Sequence, residues 1–238
     1  MGQWEEIWKG AQAEQLWSVP DLRVQELAAT WKHTGTIRRV LDLGCGIGRH
    51  VHLLASQGFE VSGLDHSETG LETCRRSIAA AGLTADLRLG DMAAIPFPDG
   101  HFDAVIAFNS IYHALADQVE AGIDLVRRKL RANGLCFATL PSRDNRLYGK
   151  GDPIEPHTFS ALGVYGELLG SDGERGVTHH FSSEQELRHF FRAFHIESLE
   201  HEELRLALPR RDSTAARWLP IRHAYFWQIV ARKVDQHA

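Results

Sequence analysis

A doubly wound α/β fold around a parallel sheet is what this sequence predicts, and three observations predict it. Apolar strand-like runs and amphipathic helical segments alternate without a break from residue 40 to residue 140. That pattern builds a parallel sheet covered by helices on both faces. The first apolar run breaks into three glycines at alternate positions, Gly44, Gly46 and Gly48, before a helical segment begins. The 238 residues suffice for one large α/β domain with a substantial core, or one domain with a sizeable insertion.

In chain order, residues 1–36 read as two helical pieces split at Ser18-Val19-Pro20-Asp21, with Pro20 suited to the first turn of the second. Trp4 and Trp8 lie four apart, on one helix face. With Trp17 they form either a greasy patch packed on the main sheet or a lid whose ring faces suit a cationic ligand.

The stretch Val40-Leu41-Asp42-Leu43-Gly44-Cys45-Gly46-Ile47-Gly48-Arg49 reads as strand, tight loop, helix. Glycines let the backbone turn sharply and approach a ligand closely, and the helix behind them offers unpaired N–H groups. A dinucleotide fingerprint needs Gly-x-Gly-x-x-Gly, but here the third glycine comes one position early. Asp42 is also ill placed beside a pyrophosphate and well suited to a positively charged ligand. A ligand-free glycine turn is the plain alternative.

The following helix is expected to end at Gly58, and a second strand over 59–65 ends in an acid. Asp65 lies roughly twenty residues past the glycines, where a nucleoside-binding βαβ unit places the carboxylate that holds the ribose. Ser67 can cap the next helix, which buries Leu71, Cys74 and Ile78. A short third strand over 85–89 runs into Gly90-Asp91-Met92. A fourth strand over 104–108 leads to Asn109-Ser110-Ile111-Tyr112-His113, at the edge where ligands of open α/β sheets bind. A helix with Val119, Ile123, Val126 and Leu130 on one face stops at Asn133-Gly134, before a fifth strand over 135–140. Between 141 and 182 periodicity vanishes, and the polar and aromatic residues include Tyr148, Glu155, His157, Tyr165, His179 and His180, with Leu162 and Leu168 among them. So long a stretch inside a compact domain usually serves function, and a cover over the active site is expected. Ser183 and Glu186 then form a capping box for a last helix.

The Asp-x-Gly-x-Gly-x-Gly motif at 42–48 resembles the first motif of class I S-adenosylmethionine-dependent methyltransferases. Asp91-Met92 resembles that family's adenine site, and the Pro96-Phe97-Pro98-Asp99 run and Phe102-Asp103 are also familiar there. The resemblance covers about the hundred residues from 40 to 140. It implies a mostly parallel seven-stranded sheet finished by an antiparallel edge pair, for which 196–206 and 224–233 are the candidates. It implies S-adenosylmethionine as cofactor, held by Asp42, Gly44, Cys45, Gly46, Asp65, His66, Asp91, Met92 and Asn109. The organisation expected is an N-terminal helical lid (1–36), a cofactor-binding α/β core (37–140), the cover insertion (141–182) and the rest of the α/β domain (183–238).

Methyl transfer to a small-molecule O, S or N nucleophile is the expected reaction. It needs an aligned nucleophile in a dry pocket and a base to take a proton. Asn109, Tyr112, His113, Tyr148 and His180 are the catalytic candidates, with His157 and His179 as further bases. The Asn-Pro-Pro-Tyr-type motif of amide and adenine N-methylating members is missing, since the run here is Asn109-Ser110-Ile111-Tyr112. Aminocarboxypropyl chemistry, including intramolecular cyclisation releasing methylthioadenosine, and a non-catalytic cofactor-binding role are the alternatives. The histidines and Glu155 lack a metal-binding spacing, so no metal is expected. A formal net charge of −5 gives no basic stripe for nucleic acid. Cys45, Cys74 and Cys136 are far apart and read as core thiols of a reducing compartment. The start has no signal-peptide pattern and no stretch reaches the ~18 apolar residues of a membrane span, so a soluble, cytoplasmic chain is expected.

Overall fold

The computed structural model describes residues 3–9, 17–161, 176–210 and 213–234. Its centre is β1 (Arg39–Leu43), which pairs in parallel with β2 (Glu60–Asp65) on one side and β4 (Phe102–Ala107) on the other. Successive residues of β1 point to opposite faces, so Val40 joins one core and Leu41 and Leu43 the other. Ala104 and Ile106 of β4 alternate with Val105 and Ala107 in the same way. Both faces being covered is why these strands read as continuous apolar runs. Asp103 sets the relation of the two strands, accepting from the backbone N–H groups of Arg38 at 2.8 Å and Arg39 at 2.7 Å.

One face is covered by α2 (Leu22–Thr34), α3 (Arg49–Ser56) and α4 (Glu68–Ala80), through Val24, Ala28, Trp31, Leu54, Leu71 and Ile78. The other is covered by α5 (Ala116–Lys129) and α6 (Glu184–Phe190), through Val119, Ile123, Val126, Leu187 and Phe190. A short first helix, α1 (Gln3–Lys9), adds Ile7 to the second core. With β3 (Asp86–Leu89), β5 (Leu130–Pro141), β9 (Phe194–Arg210) and β10 (Ser213–Lys233) the sheet has seven strands, in the order β3-β2-β1-β4-β5-β10-β9. β10 runs antiparallel to both β5 and β9, so the mostly parallel sheet ends in the expected antiparallel pair, with longer strands than expected. The order reverses between β1 and β4, which makes the crevice above their C-terminal ends the switch point where ligands bind.

Three local expectations change. Pro20 does not enter the helix: Asp21 is the cap of α2 and accepts from Arg23 N–H at 2.9 Å, leaving the proline outside. Asn133-Gly134 does not end α5. The helix gives way at Lys129, and Asn133, at φ 60°, sits in an irregularity inside β5. The capping box is half made: Ser183 Oγ accepts from Glu186 N–H at 3.2 Å, but the Glu186 carboxylate turns to Arg143 Nη2 at 2.9 Å and His180 Nε2 at 3.2 Å.

The segment without periodicity contains a three-stranded antiparallel sheet, β6 (Asp152–Glu155), β7 (Thr158–Ala161) and β8 (Val177–His180). Four-residue strands are too short to leave a readable period. The expected contributions of Leu162, Tyr165 and Leu168 lie outside the described residues.

Candidate functional site

A cavity of about 460 Å³ opens at the switch point. Its floor is the loop from β1 to α3. Gly44 N–H and Cys45 N–H donate to Leu64 O at 2.8 and 3.1 Å, and Gly46 N–H donates to Asp65 Oδ2 at 2.7 Å. Gly44 and Gly46 have φ of 77° and 53°, a region costly for any residue with a Cβ. Space forbids side chains as well. A Cβ on Gly44 would sit 2.4 Å from Ser110 Cβ, and one on Gly46 would sit 2.6 Å from Trp8 Cζ2.

Of the residues expected to hold a cofactor, Gly44, Cys45, Gly46, Asp65, His66, Asp91, Met92 and Asn109 all line this cavity. Asp65 is buried, and its Oδ1 accepts from Ser67 N–H at 2.9 Å. Burial pushes its carboxyl up against the pull of the Ser67 and Gly46 N–H groups. Asp91 is exposed at the rim, where Oδ1 accepts from Ala93 N–H at 2.8 Å and caps the 3-10 turn Met92–Ala94. The Cys45 thiol is raised well above its ordinary range by burial and by nearby Asp65 and Asp42, so it is held protonated.

Asp42 departs from expectation. It lies behind the loop, 2 % exposed, and does not line the cavity. Among the described residues its Oδ2 has no hydrogen-bond partner; His50 Nδ1 is 4.0 Å away. Burial raises its pKa from 3.8 to about 7, opposed by the Arg49 charge.

The far wall comes from the loop after β4. Asn109 takes a left-handed φ of 51°. Its N–H donates to Thr139 Oγ1 at 2.8 Å, and Thr139 Oγ1 donates to Asn109 Oδ1 at 2.9 Å. The side-chain oxygen is thus held by the sheet. Tyr112 and His113 also line the cavity, with ring centroids 4.3 Å apart. His113 Nδ1 faces Thr178 O at 3.2 Å, which assigns the ring proton to Nδ1. Trp4 meets the His113 ring edge-on at 4.8 Å from one side, and His179 at 4.7 Å from another. Burial holds His113 well below the usual histidine range and lowers His179 to about 4, so both stay neutral near pH 7.

Tyr148 and His180 do not reach the cavity. Tyr148 Oη lies 2.6 Å from His157 Nδ1. His180 is fully buried between Thr158 Oγ1, 2.7 Å from its Nδ1, and Glu186. Thr158 Oγ1 also donates to Glu155 Oε1 at 3.0 Å, and Glu155 Oε1 accepts from Ala116 N–H at the start of α5 at 2.7 Å. These residues fasten the small sheet to the helices instead of facing a substrate. Among the described residues of 141–182, the start of β8, at Val177 and Thr178, touches the cavity. Sequence reasoning passed over Arg49, Phe108 and Thr178, all of which line it. Arg49 stands directly after the glycines, with its guanidinium 5.1 Å from the Phe108 ring, and that adjacency was the available signal.

Residues 40–134 match the family model described as a methyltransferase domain. A probable S-adenosylmethionine-dependent methyltransferase of Mycolicibacterium smegmatis is 34% identical over 122 residues, 51% of this chain and 45% of that protein. A ubiquinone biosynthesis O-methyltransferase of Methylocella silvestris is 32% identical over 105 residues, 44% of this chain and 40% of that protein. The match thus spans less than half the length of either curated relative. Among solved structures, one described by the conversion of a disulfide bond into a thioacetal group during echinomycin biosynthesis covers 98% of this chain and 92% of its own, at TM-score 0.70 and 21% identity. A SAM-dependent methyltransferase from Methanosarcina mazei covers 84% and 93%, at TM-score 0.65 and 20% identity. These two share the fold. No helix among the described residues is long and apolar enough to cross a membrane.

Proposed function

We propose that the chain carries a class I S-adenosylmethionine-dependent methyltransferase domain, a reading its matches support, and that it is an enzyme moving a methyl group from S-adenosylmethionine to a small-molecule O, S or N nucleophile. The observation that carries this is the convergence on one cavity of the bare glycine loop, Asp65, Asp91-Met92 and a half-buried histidine held neutral, His113. The cavity volume falls within the roughly 300–1,000 Å³ of small-molecule sites. The residues present fit the cofactor. The glycine loop lines the cavity with bare backbone, and the buried Asp42 Oδ2, on the strand leading into that loop, has no hydrogen-bond partner among the described residues, an acidic atom suited to a cationic ligand beyond the loop.

Asp65 would hold the ribose hydroxyls, Asp91 and Met92 with neighbouring His66 the adenine, and Gly44, Cys45, Gly46 and Asn109 the amino-acid end. When bound, the cofactor supplies a methyl group on a cationic sulfur that leaves as a neutral thioether. Trp4, Tyr112 and His113 wall the acceptor end and exclude water, which strengthens the electrostatics inside. With Nδ1 committed to the Thr178 carbonyl, His113 Nε2 carries the lone pair that can take the acceptor's proton. Trp4, Trp8 and Trp17 act as the lid, and the insertion reaches the cavity through Val177 and Thr178. A cytoplasmic setting is supported by three buried free cysteines. The named relatives favour methyl over aminocarboxypropyl transfer.

The test is incubation of the purified protein with S-adenosylmethionine and panels of phenols, thiols and amines, with products identified by mass spectrometry. S-adenosylhomocysteine formed only with an acceptor supports the reading. Methylthioadenosine formed from the cofactor alone overturns it. His113→Ala is expected to lower turnover by about tenfold or more, ~1.4 kcal/mol of barrier, with S-adenosylhomocysteine affinity unchanged.

A further inference from the structure

We propose that Trp8 is a cofactor-binding residue whose indole N–H donates to a ribose oxygen of the bound nucleoside. The inference rests on the reading of the cavity as an S-adenosylmethionine site. Trp8 lines that cavity and lies over two residues without side chains. A Cβ on Gly46 would stand 2.6 Å from Cζ2 and 3.3 Å from Cε2 of the ring, and one on Gly70 would stand 3.1 Å from Cδ1. Nε1 is bonded to Cε2 and Cδ1, so the N–H edge lies over the touching backbones of Gly46 and Gly70, at the glycine-loop end of the cavity. Gly46 N–H is also the group that binds Asp65 Oδ2.

That N–H is buried and, among the described residues, has no acceptor. A buried donor left unpaired is costly, and native structures rarely keep one without a reason. The neighbouring donors are already committed, since Gly46 N–H and Ser67 N–H both donate to Asp65. A ribose hydroxyl that donates to the Asp65 carboxylate keeps its lone pairs, and they need a donor. Trp8 is the one the crevice holds ready.

The placement of Trp8 is fixed from outside the cavity. On the same helix, Glu5 receives Ser67 Oγ–H at 2.7 Å, Thr69 N–H at 3.3 Å and the Thr69 hydroxyl, all at the first turn of α4. A carboxylate at a helix N-terminus is favoured by the helix dipole. Glu5 is therefore a positioning residue that pins α1 so that Trp8 meets the nucleoside.

Calorimetry with S-adenosylhomocysteine and with methylthioadenosine, on wild type and Trp8→Phe, tests this. Phe keeps an aromatic face and loses the donor together with the second ring of the indole. Affinity for both ligands is expected to fall by about tenfold, because both carry the ribose. Unchanged affinity overturns the assignment, as does a loss confined to S-adenosylhomocysteine, which would move the contact to the amino-acid end. Tighter binding by Trp8→Phe also overturns it, because the ring would then be filling the ribose position in place of a ligand. Should Trp8→Phe not fold, Glu5→Ala is expected to weaken both ligands by about threefold, and no change there overturns the proposal. Wild-type protein that fails to bind S-adenosylhomocysteine would remove the functional reading itself, which is a separate result.

Discussion

Asp42 offers the sharpest measurement of what the glycine loop conceals. In the unfolded chain its carboxyl ionises near 3.8, and in the folded chain near about 7, because burial disfavours the charge. Between those values the folded state holds a proton that the unfolded state has released, so stability falls as pH rises through that window and is level above it. At ~1.4 kcal/mol per pH unit the full span is worth about 4 kcal/mol, an upper figure for a group that nearby water can relax. His50, His113 and His179 are shifted down by burial and slope the other way over part of the same range. A wild-type curve alone would therefore mix opposing signs. Asp42→Asn, similar in shape and without a titrating proton, isolates the term by difference. Urea unfolding at several pH values should show the variant gaining on wild type by roughly 2–4 kcal/mol between pH 4 and pH 7.5. A difference that stays constant across that range would show that Asp42 is ionised in the fold like any surface acid, and the account of its burial would fail.

Gly46→Ala must fit a Cβ at φ 53° against Trp8. Overpacking of about 1–3 kcal/mol and weaker S-adenosylhomocysteine binding are expected, and normal binding by calorimetry would show that the loop needs no close approach. Asp65→Ala strips the acceptor from Gly46 N–H and Ser67 N–H, so the thermal midpoint should fall along with ligand affinity, at ~1–3 kcal/mol for each orphaned donor. An unshifted midpoint would mean Asp65 serves the ligand alone. His180→Ala should cost stability by about 1–3 kcal/mol through Thr158 and Glu186, with turnover within about threefold of wild type, because His180 lies off the cavity. A large loss of turnover in a fully stable variant would return it to the catalytic list.

The parallel core was legible because its signal is repeated. Strands β1, β2, β4 and β5 are buried on both faces, and the helices α3, α4 and α5 each carry one apolar stripe, so these elements are announced by their own composition. Boundaries were less legible where the chain bends inside an element. Asn133-Gly134 has the chemistry of a helix stop, yet the strand pairing resumes across it, and tertiary contact decides that over local preference. The small sheet was illegible for a plainer reason. Strands of four residues carry only two repeats of the two-residue alternation, and pairing between them is held by side chains far apart in sequence, such as Thr158 with His180.

The two halves of the cavity differ in the same way. The half proposed for the cofactor is built by the ends of consecutive strands: Gly44, Gly46 and Asp65 stand at fixed offsets from patterned elements and could be named from spacing, while Asp91 was named through the family resemblance. The half proposed for the acceptor is built where three unrelated segments meet: Trp4 from α1, Tyr112 and His113 from the loop after β4, and Thr178 from β8. No sequence offset links those segments. His113 was named because it follows a strand. Tyr148 and His180 were named because they were polar residues in an unpatterned stretch, and polarity there answered a different need. A small sheet resting on helix N-termini must satisfy buried N–H and hydroxyl groups, and Glu155, Thr158, His180 and Glu186 do so for one another and for α5. Buried polar side chains in an insertion are therefore ambiguous until their partners are known.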